Sequence, residues 1–268
     1  MIFKKLHWTL KRHPFLYVTR FRLLSKNSSV AAIAPCRYNT MNGKDHIPNL
    51  FYTVNSEIFT HGKPDSDLKL IKQMVTWLLA HTKVGPGLSE PSEQALHTLL
   101  YGSGGVCSDL AQVFNNFCVI NDIPVREWGT TSAPFNPANG GHSFNEVYIK
   151  ELQKWLLIDP SWGVLFYDVD KVPLSVIELY HLSRRDQFLH YESFIPHQDI
   201  PQAQVTKNYL SSDITPFLIC DYRNAIYDRY LKIARPYIPV FMIHFMVYLS
   251  GKSYHYKFPL DDYKKIFS

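Results

Sequence analysis

The stretch Gly104-Gly105-Val106-Cys107-Ser108-Asp109-Leu110-Ala111 decides how the rest of the chain is read. Two glycines lead into a cysteine, and Leu110, Ala111, Val113, Phe114, Phe117 and Cys118 then recur at helical spacing with a broad apolar face. The pattern predicts a helix from Cys107 to Asn121, ended by Asn121-Asp122 and barred from continuing by Pro124. A thiol at a helix start meets unpaired backbone N–H groups and the positive end of the helix dipole. That setting favours thiolate, the nucleophilic form. The glycines let backbone and a substrate carbonyl approach closely. Cys118 lies on the apolar face of the same helix and reads as a small core residue.

A thiol nucleophile needs a base, and the base needs an orienting group. Gly140-Gly141-His142 sets a histidine where a loop enters a strand, His142 to Ile149. Asp159-Pro160 sets a carboxylate where another strand, Trp155 to Asp159, ends. A hairpin turning about Lys150 and Glu151 places His142 directly opposite Asp159, at the ~4.5–5.5 Å Cβ separation of cross-strand neighbours. The proposed set is Cys107 as nucleophile, His142 as base and Asp159 as orienter. Zinc is the alternative use of Cys, His and Asp together, but a helix-start cysteine fits the nucleophile better. No metal and no cofactor is expected.

Substrate or oxyanion candidates are Tyr101, Gly105, Asp109, Asn145 and Trp162. Each has a plainer reading. Asp109 is in the first helical turn, where a carboxylate is stabilised anyway. Asn145 and Glu146 point to opposite faces of one strand, so at most one faces a cleft. Trp162 is a normal core residue, and Arg126 reads as a structural ion-pair partner.

Upstream, Pro48 to Phe59 contains a strand-like Phe51-Tyr52-Thr53-Val54. A helix capped by Asp65 or Ser66 follows, carrying Leu68, Ile71, Met74, Leu78 and Leu79. Another begins near Ser89 and Pro91. Val125 to Thr130 reads as a strand, and the two strands after it alternate as half-buried strands do. Beyond Val172 the pattern is helical, with a Pro-punctuated loop over 196–201. Three parts result: a basic arm over 1–50, a core over 51–170 and a mostly helical extension over 171–268. The class is α+β, with the cysteine helix packed on an antiparallel sheet that bears His and Asp.

The charge is lopsided. Residues 1–44 hold nine Lys or Arg and no Asp or Glu, although the net charge of the 268 residues is only +5. Such an arm contacts an anionic surface or is simply a solvated end. If it lies outside the core, removing 1–44 leaves the core's activity intact. The aromatic-basic interleaving of a nucleic-acid fold is missing, so no specific nucleic-acid partner is expected. The first 25 residues lack an uninterrupted apolar run, and the four cysteines form no disulfide-rich pattern. Reduced thiols in the cytoplasm are therefore expected, with an organelle-targeting leader as the alternative. Ile238 to Leu249 is strongly apolar but only 12 residues long, which predicts a core segment rather than a membrane span.

Four blocks resemble the transglutaminase-like superfamily, in its order and spacing. They are Gly104 to Ala111, Asp122-Ile123-Pro124-Val125-Arg126, Gly141-His142-Ser143-Phe144-Asn145-Glu146-Val147-Tyr148, and Trp155 to Gly163. The resemblance covers roughly 65–165. It implies a papain-like fold in which Cys107 attacks, His142 transfers the proton and Asp159 orients the imidazole, with reactions on amides passing through a thioester. Two features depart from the family. Phe144 stands where the family has Trp, keeping a flat wall but losing an indole donor, and no secure match exists for the upstream oxyanion side chain, with Tyr101 and Trp77 as options. The expected function is a thiol-dependent amidase, peptidase, deamidase or acyl transferase on a protein, peptide or small amide. A catalytically silent binding module of the same fold is the alternative.

Overall fold

The computed structural model describes residues 14–87, 89–136, 141–187, 189–196, 200–211, 216–252 and 255–267. Gly140 and the middle of the loop over 196–201 lie outside the described residues. The first elements are α1 (Pro14–Leu24) and β1 (Ser25–Asn27). Three helices follow: α2 (Asn49–Ile58), α3 (Asp67–His81) and α4 (Ser92–Tyr101). The cysteine helix is α5 (Cys107–Ile120), followed by β2 (Val125–Thr130), β3 (His142–Ile149), β4 (Lys154–Asp159) and β5 (Val164–Tyr167). The chain then forms α6 (Val176–Arg184), β6 (His190–Ser193) and β7 (Phe217–Asp221). It ends with α7 (Asn224–Ala234), α8 (Val240–Leu249) and β8 (His255–Phe258).

The eight strands form one sheet in the order β1-β8-β7-β2-β3-β4-β5-β6. Pairing is antiparallel except between β1 and β8. Helix α5 lies against β2 and β3. Its Phe114 and Phe117 pack into a core with Met74 and Leu78 of α3 and Val147, Leu156 and Ile158 of the sheet. The other face of the sheet carries Trp128, Phe144, Leu157, Phe166, Phe217 and Ile219, covered by Val176 and Leu179 of α6 and by Tyr209. β3 and β4 are therefore buried on both faces over most of their length, not half-buried as their alternation suggested.

Two other expectations change and one is refined. Phe51-Tyr52-Thr53-Val54 is helical: Phe51, Val54, Asn55 and Ile58 recur on one buried face of α2, and this helical period overrides the strand propensity of the four residues. The segment over 171–268 is mostly helical, as expected, but it is not cover alone, because β6, β7 and β8 all join the central sheet. The arm is not outside the core either. Phe21, Leu24 and Tyr38 are buried in the main core, and Asn39 bonds both Ile123 O (2.8 Å) and Val125 N (2.8 Å).

Candidate functional site

Cys107 opens α5 and is half-buried. The turn before it is locked to the segment over 83–85. Gly105 N–H donates to Lys83 O (3.0 Å), and Gly85 N–H donates to Gly105 O (2.8 Å). Gly104 has φ +82°, and a Cβ there would stand 2.4 Å from Lys83 O. Only glycine satisfies both the left-handed backbone and this close approach. Gly141 meets the same demand across the site, with φ +76° and a Cβ that would stand 2.4 Å from Thr130 O. It brings the start of β3 onto the end of β2, where His142 pairs with Thr130.

β3 and β4 form the expected hairpin in a different register. Asn145 pairs with Ile158, Glu146 with Leu157 and Ile149 with Lys154. The turn, Lys150–Leu152 closed by Gln153 in the left-handed region, is centred one residue later than expected. His142 and Asp159 are thus offset by two residues rather than directly opposed. A two-residue slip keeps both on one face, because side chains alternate with period two. They bond diagonally: His142 Nε2–H donates to Asp159 Oδ2 at 2.7 Å, with both side chains buried. Nδ1 is the ring nitrogen left for Cys107.

Asp159 accepts two further hydrogen bonds. Ser161 N–H donates to Oδ1 (2.9 Å), and Tyr209 O–H donates to Oδ2 (2.7 Å). Burial and the neighbouring Asp159 push the Tyr209 phenol well above its ordinary value, so it stays a donor. Burial alone would lower the His142 imidazole, but the charge and hydrogen bond of Asp159, aided by Cys107, push it up to about 10. Burial alone would likewise raise the Cys107 thiol. The hydrogen bond and charge of His142, with the Ser143 backbone N–H, outweigh it and hold the thiol below its ordinary value. The combination favours a thiolate–imidazolium pair. Cys118, fully buried, is pushed well above the usual thiol range.

The five secondary candidates separate. Trp162 is at the site: its ring stacks on His142 at 4.7 Å and 8°. Phe144, fully buried against Tyr209 (4.9 Å) and Phe217 (6.2 Å), also stacks on His142 at 6.2 Å and 21°, so it keeps the expected flat wall while Trp162 lies closer to the imidazole. Gly105 lies beside the cysteine, but its N–H is engaged by Lys83 O and does not face a substrate. Asp109 caps the helix, accepting Val106 N–H at 3.0 Å. Asn145 clamps β3 to α5 by donating to Ala111 O (3.2 Å) and Asn115 Oδ1 (2.7 Å). Tyr101 is 61% exposed with its ring against His97, and Trp77 stacks on His81. Neither shares a hydrogen bond or ring contact with Cys107 or His142. Glu146 joins the buried Arg126 at 3.1 Å, as the ion-pair reading of that arginine expected.

Tyr209 escaped the sequence reading. It is a single tyrosine 50 residues from Asp159 in a π-helical turn, Thr206–Leu210, and carries no local signal. Among the described residues, no group of three or more His, Cys, Asp or Glu is placed to hold a metal ion.

The family model of the transglutaminase-like superfamily matches residues 53–160, a span that contains Cys107, His142 and Asp159. No curated protein matches the chain. A solved structure described as "a Putative Cysteine Protease from Cytophaga hutchinsonii" is similar at 20% identity and a TM-score of 0.34, over 42% of this chain and 37% of that one. Over residues 53–160 this chain is therefore similar to the transglutaminase-like superfamily core.

Proposed function

We propose that the protein is a cysteine-dependent enzyme acting on amide or peptide bonds through an acyl-thioester. The observation that carries this reading is the buried 2.7 Å His142–Asp159 hydrogen bond on an imidazole that also bonds Cys107. The Cys107 thiolate adds to the amide carbonyl carbon and forms a C–S bond. The Cys107 and Ser108 N–H groups, in the first turn of α5, make no hydrogen bond to a described residue and are the donors for the oxyanion. His142 then gives its proton to the departing nitrogen as the C–N bond breaks. Water or an amine attacks the thioester, loses its proton to His142 and releases the thiolate as the C–S bond breaks. Asp159 holds the ring and its positive charge throughout.

Two measurements test this. Limiting iodoacetamide followed by peptide mapping should label Cys107 far faster than Cys118, and the rate should persist below the pH where an ordinary thiol ionises. His142→Ala should move that profile to higher pH. On peptide-amide libraries read by mass and ammonia release, Cys107→Ala and His142→Ala should abolish turnover, since nucleophile and base act as a unit. Asp159→Asn should weaken turnover less, by up to about 10⁴-fold. Labelling of Cys107 no faster than Cys118, with a profile indifferent to His142→Ala, would leave the silent binding module as the better account.

A further inference from the structure

Helix α8 reads Val-Phe-Met-Ile-His-Phe-Met-Val-Tyr-Leu over Val240–Leu249, apolar at every position but His244. A helix apolar all round belongs in a core or in lipid. Yet only one side of α8 is covered: Val240, Ile243 and Val247 pack on Tyr227 and Leu231 of α7. The opposite stripe, Met242, Phe245, Met246 and Leu249, is 41–66% exposed. The expectation of a core segment over 238–249 therefore holds for one face only. Ten residues make about 15 Å of helix, half of a ~30 Å bilayer core, so α8 cannot span a membrane.

The surroundings of this stripe are basic. α8 lies against α1, whose Phe15 and Leu23 are also exposed (69% and 48%). β1, directly after α1, pairs with β8, the next strand after α8, so α1 and the apolar helix meet at one edge of the sheet. Exposed Arg22 and Lys26 come from the first segment, and exposed Arg223, Arg229 and Lys252 from the helical pair and its flanks. Lys232 and Arg235 are paired with Glu93 and Glu90 and are left aside. Between Arg223 and Lys252 the only acid is the buried Asp228. Of the basic residues over 1–44, Arg37 lies over Trp155 and Lys44 pairs with Asp122, so the charge offered beside α8 is that of Arg22, Lys26, Arg223, Arg229 and Lys252.

We propose that α8 and its basic surround form a docking face for an anionic lipid bilayer, with the stripe lying in the interface and the lysines and arginines on the headgroups. Large apolar side chains backed by clustered positive charge are what an interfacial helix needs. A protein groove would bury the stripe without a use for so one-sided a charge.

The test is co-sedimentation of the full chain with vesicles of phosphatidylcholine alone and of phosphatidylcholine with phosphatidylglycerol, at low and high salt. Binding is expected on the anionic vesicles and should weaken as salt rises. Phe245→Ser should lower partitioning roughly tenfold, and Lys252→Glu about fivefold or more. Both sites are exposed, so both variants should keep the parent's melting temperature and Cys107 alkylation rate. Lys252→Glu, outside the helix, decides the matter should Phe245→Ser melt early. Four results would overturn the proposal: no vesicle binding, equal binding to neutral and anionic vesicles, binding to a DNA duplex alone, or a dimer that Phe245→Ser abolishes.

Discussion

Asp159 is a fully buried carboxylate whose position rests on three donors: His142, Ser161 and Tyr209. Buried charge without such donors is costly, and each hydrogen bond to a charged group contributes about 1.5–3 kcal/mol. Tyr209 also turns its ring edge toward His142 at 5.7 Å and packs on Phe166 at 4.8 Å. Tyr209→Phe keeps those ring contacts and deletes only the donor. It should lower stability by roughly 1.5–3 kcal/mol, read as a lower urea midpoint at unchanged slope. An unshifted midpoint would mean that Asp159 does not depend on the phenol.

Elements are joined by buried polar ties as much as by apolar packing. Glu146 on β3 takes Arg126 (3.1 Å) and Trp128 Nε1–H (3.1 Å) from β2, and also the Val176 N–H that opens α6 (3.0 Å). One side chain therefore links two strands and fastens the helix covering the far side of the sheet. Arg126 also stacks over Trp155 on β4, at 3.8 Å from the ring centroid. Removing one partner of a buried pair strands the other charge, at a cost of about 3–5 kcal/mol. Glu146→Ala should lose that much in chemical denaturation, whereas Lys69→Ala, which breaks an exposed pair with Asp65, should change stability little. Equal effects of the two substitutions would contradict the buried tie.

For the whole molecule, the sheet is assembled from distant parts of the chain. β1 comes from the N-terminal segment, β6 to β8 from the last third, and β2 to β5 from between them. The matched span over 53–160 accordingly lacks five of the eight strands as well as Tyr209. Removing residues 1–44 takes away β1, buried Phe21, Leu24 and Tyr38, and the Asn39 ties to Ile123 and Val125. The truncated chain should lose its cooperative melt, contrary to the dispensable arm that composition suggested. Calorimetry decides between the two, and a sharp transition near that of the full chain would restore the separate arm.

What the sequence determined by itself was local or periodic. The Cys107 helix start, the strands over Val125–Thr130 and His142–Ile149, and the shared face of His142 and Asp159 follow from 3.6- and 2-residue periods and from glycine and proline punctuation. Even the wrong hairpin register kept the right face, because it was wrong by two. Tertiary structure alone decided the rest. Phe51-Tyr52-Thr53-Val54 became helix because the face it buries in the core has helical period, which outweighs weak β propensity. The arm entered the core because burial depends on partners far along the chain, which net charge does not report. Tyr209 reached Asp159 across 50 residues, and Trp162 came to stack on His142 more closely than Phe144 does, through packing of segments that no short window contains. Contacts at such separation carry no local period, so only the folded chain reveals them.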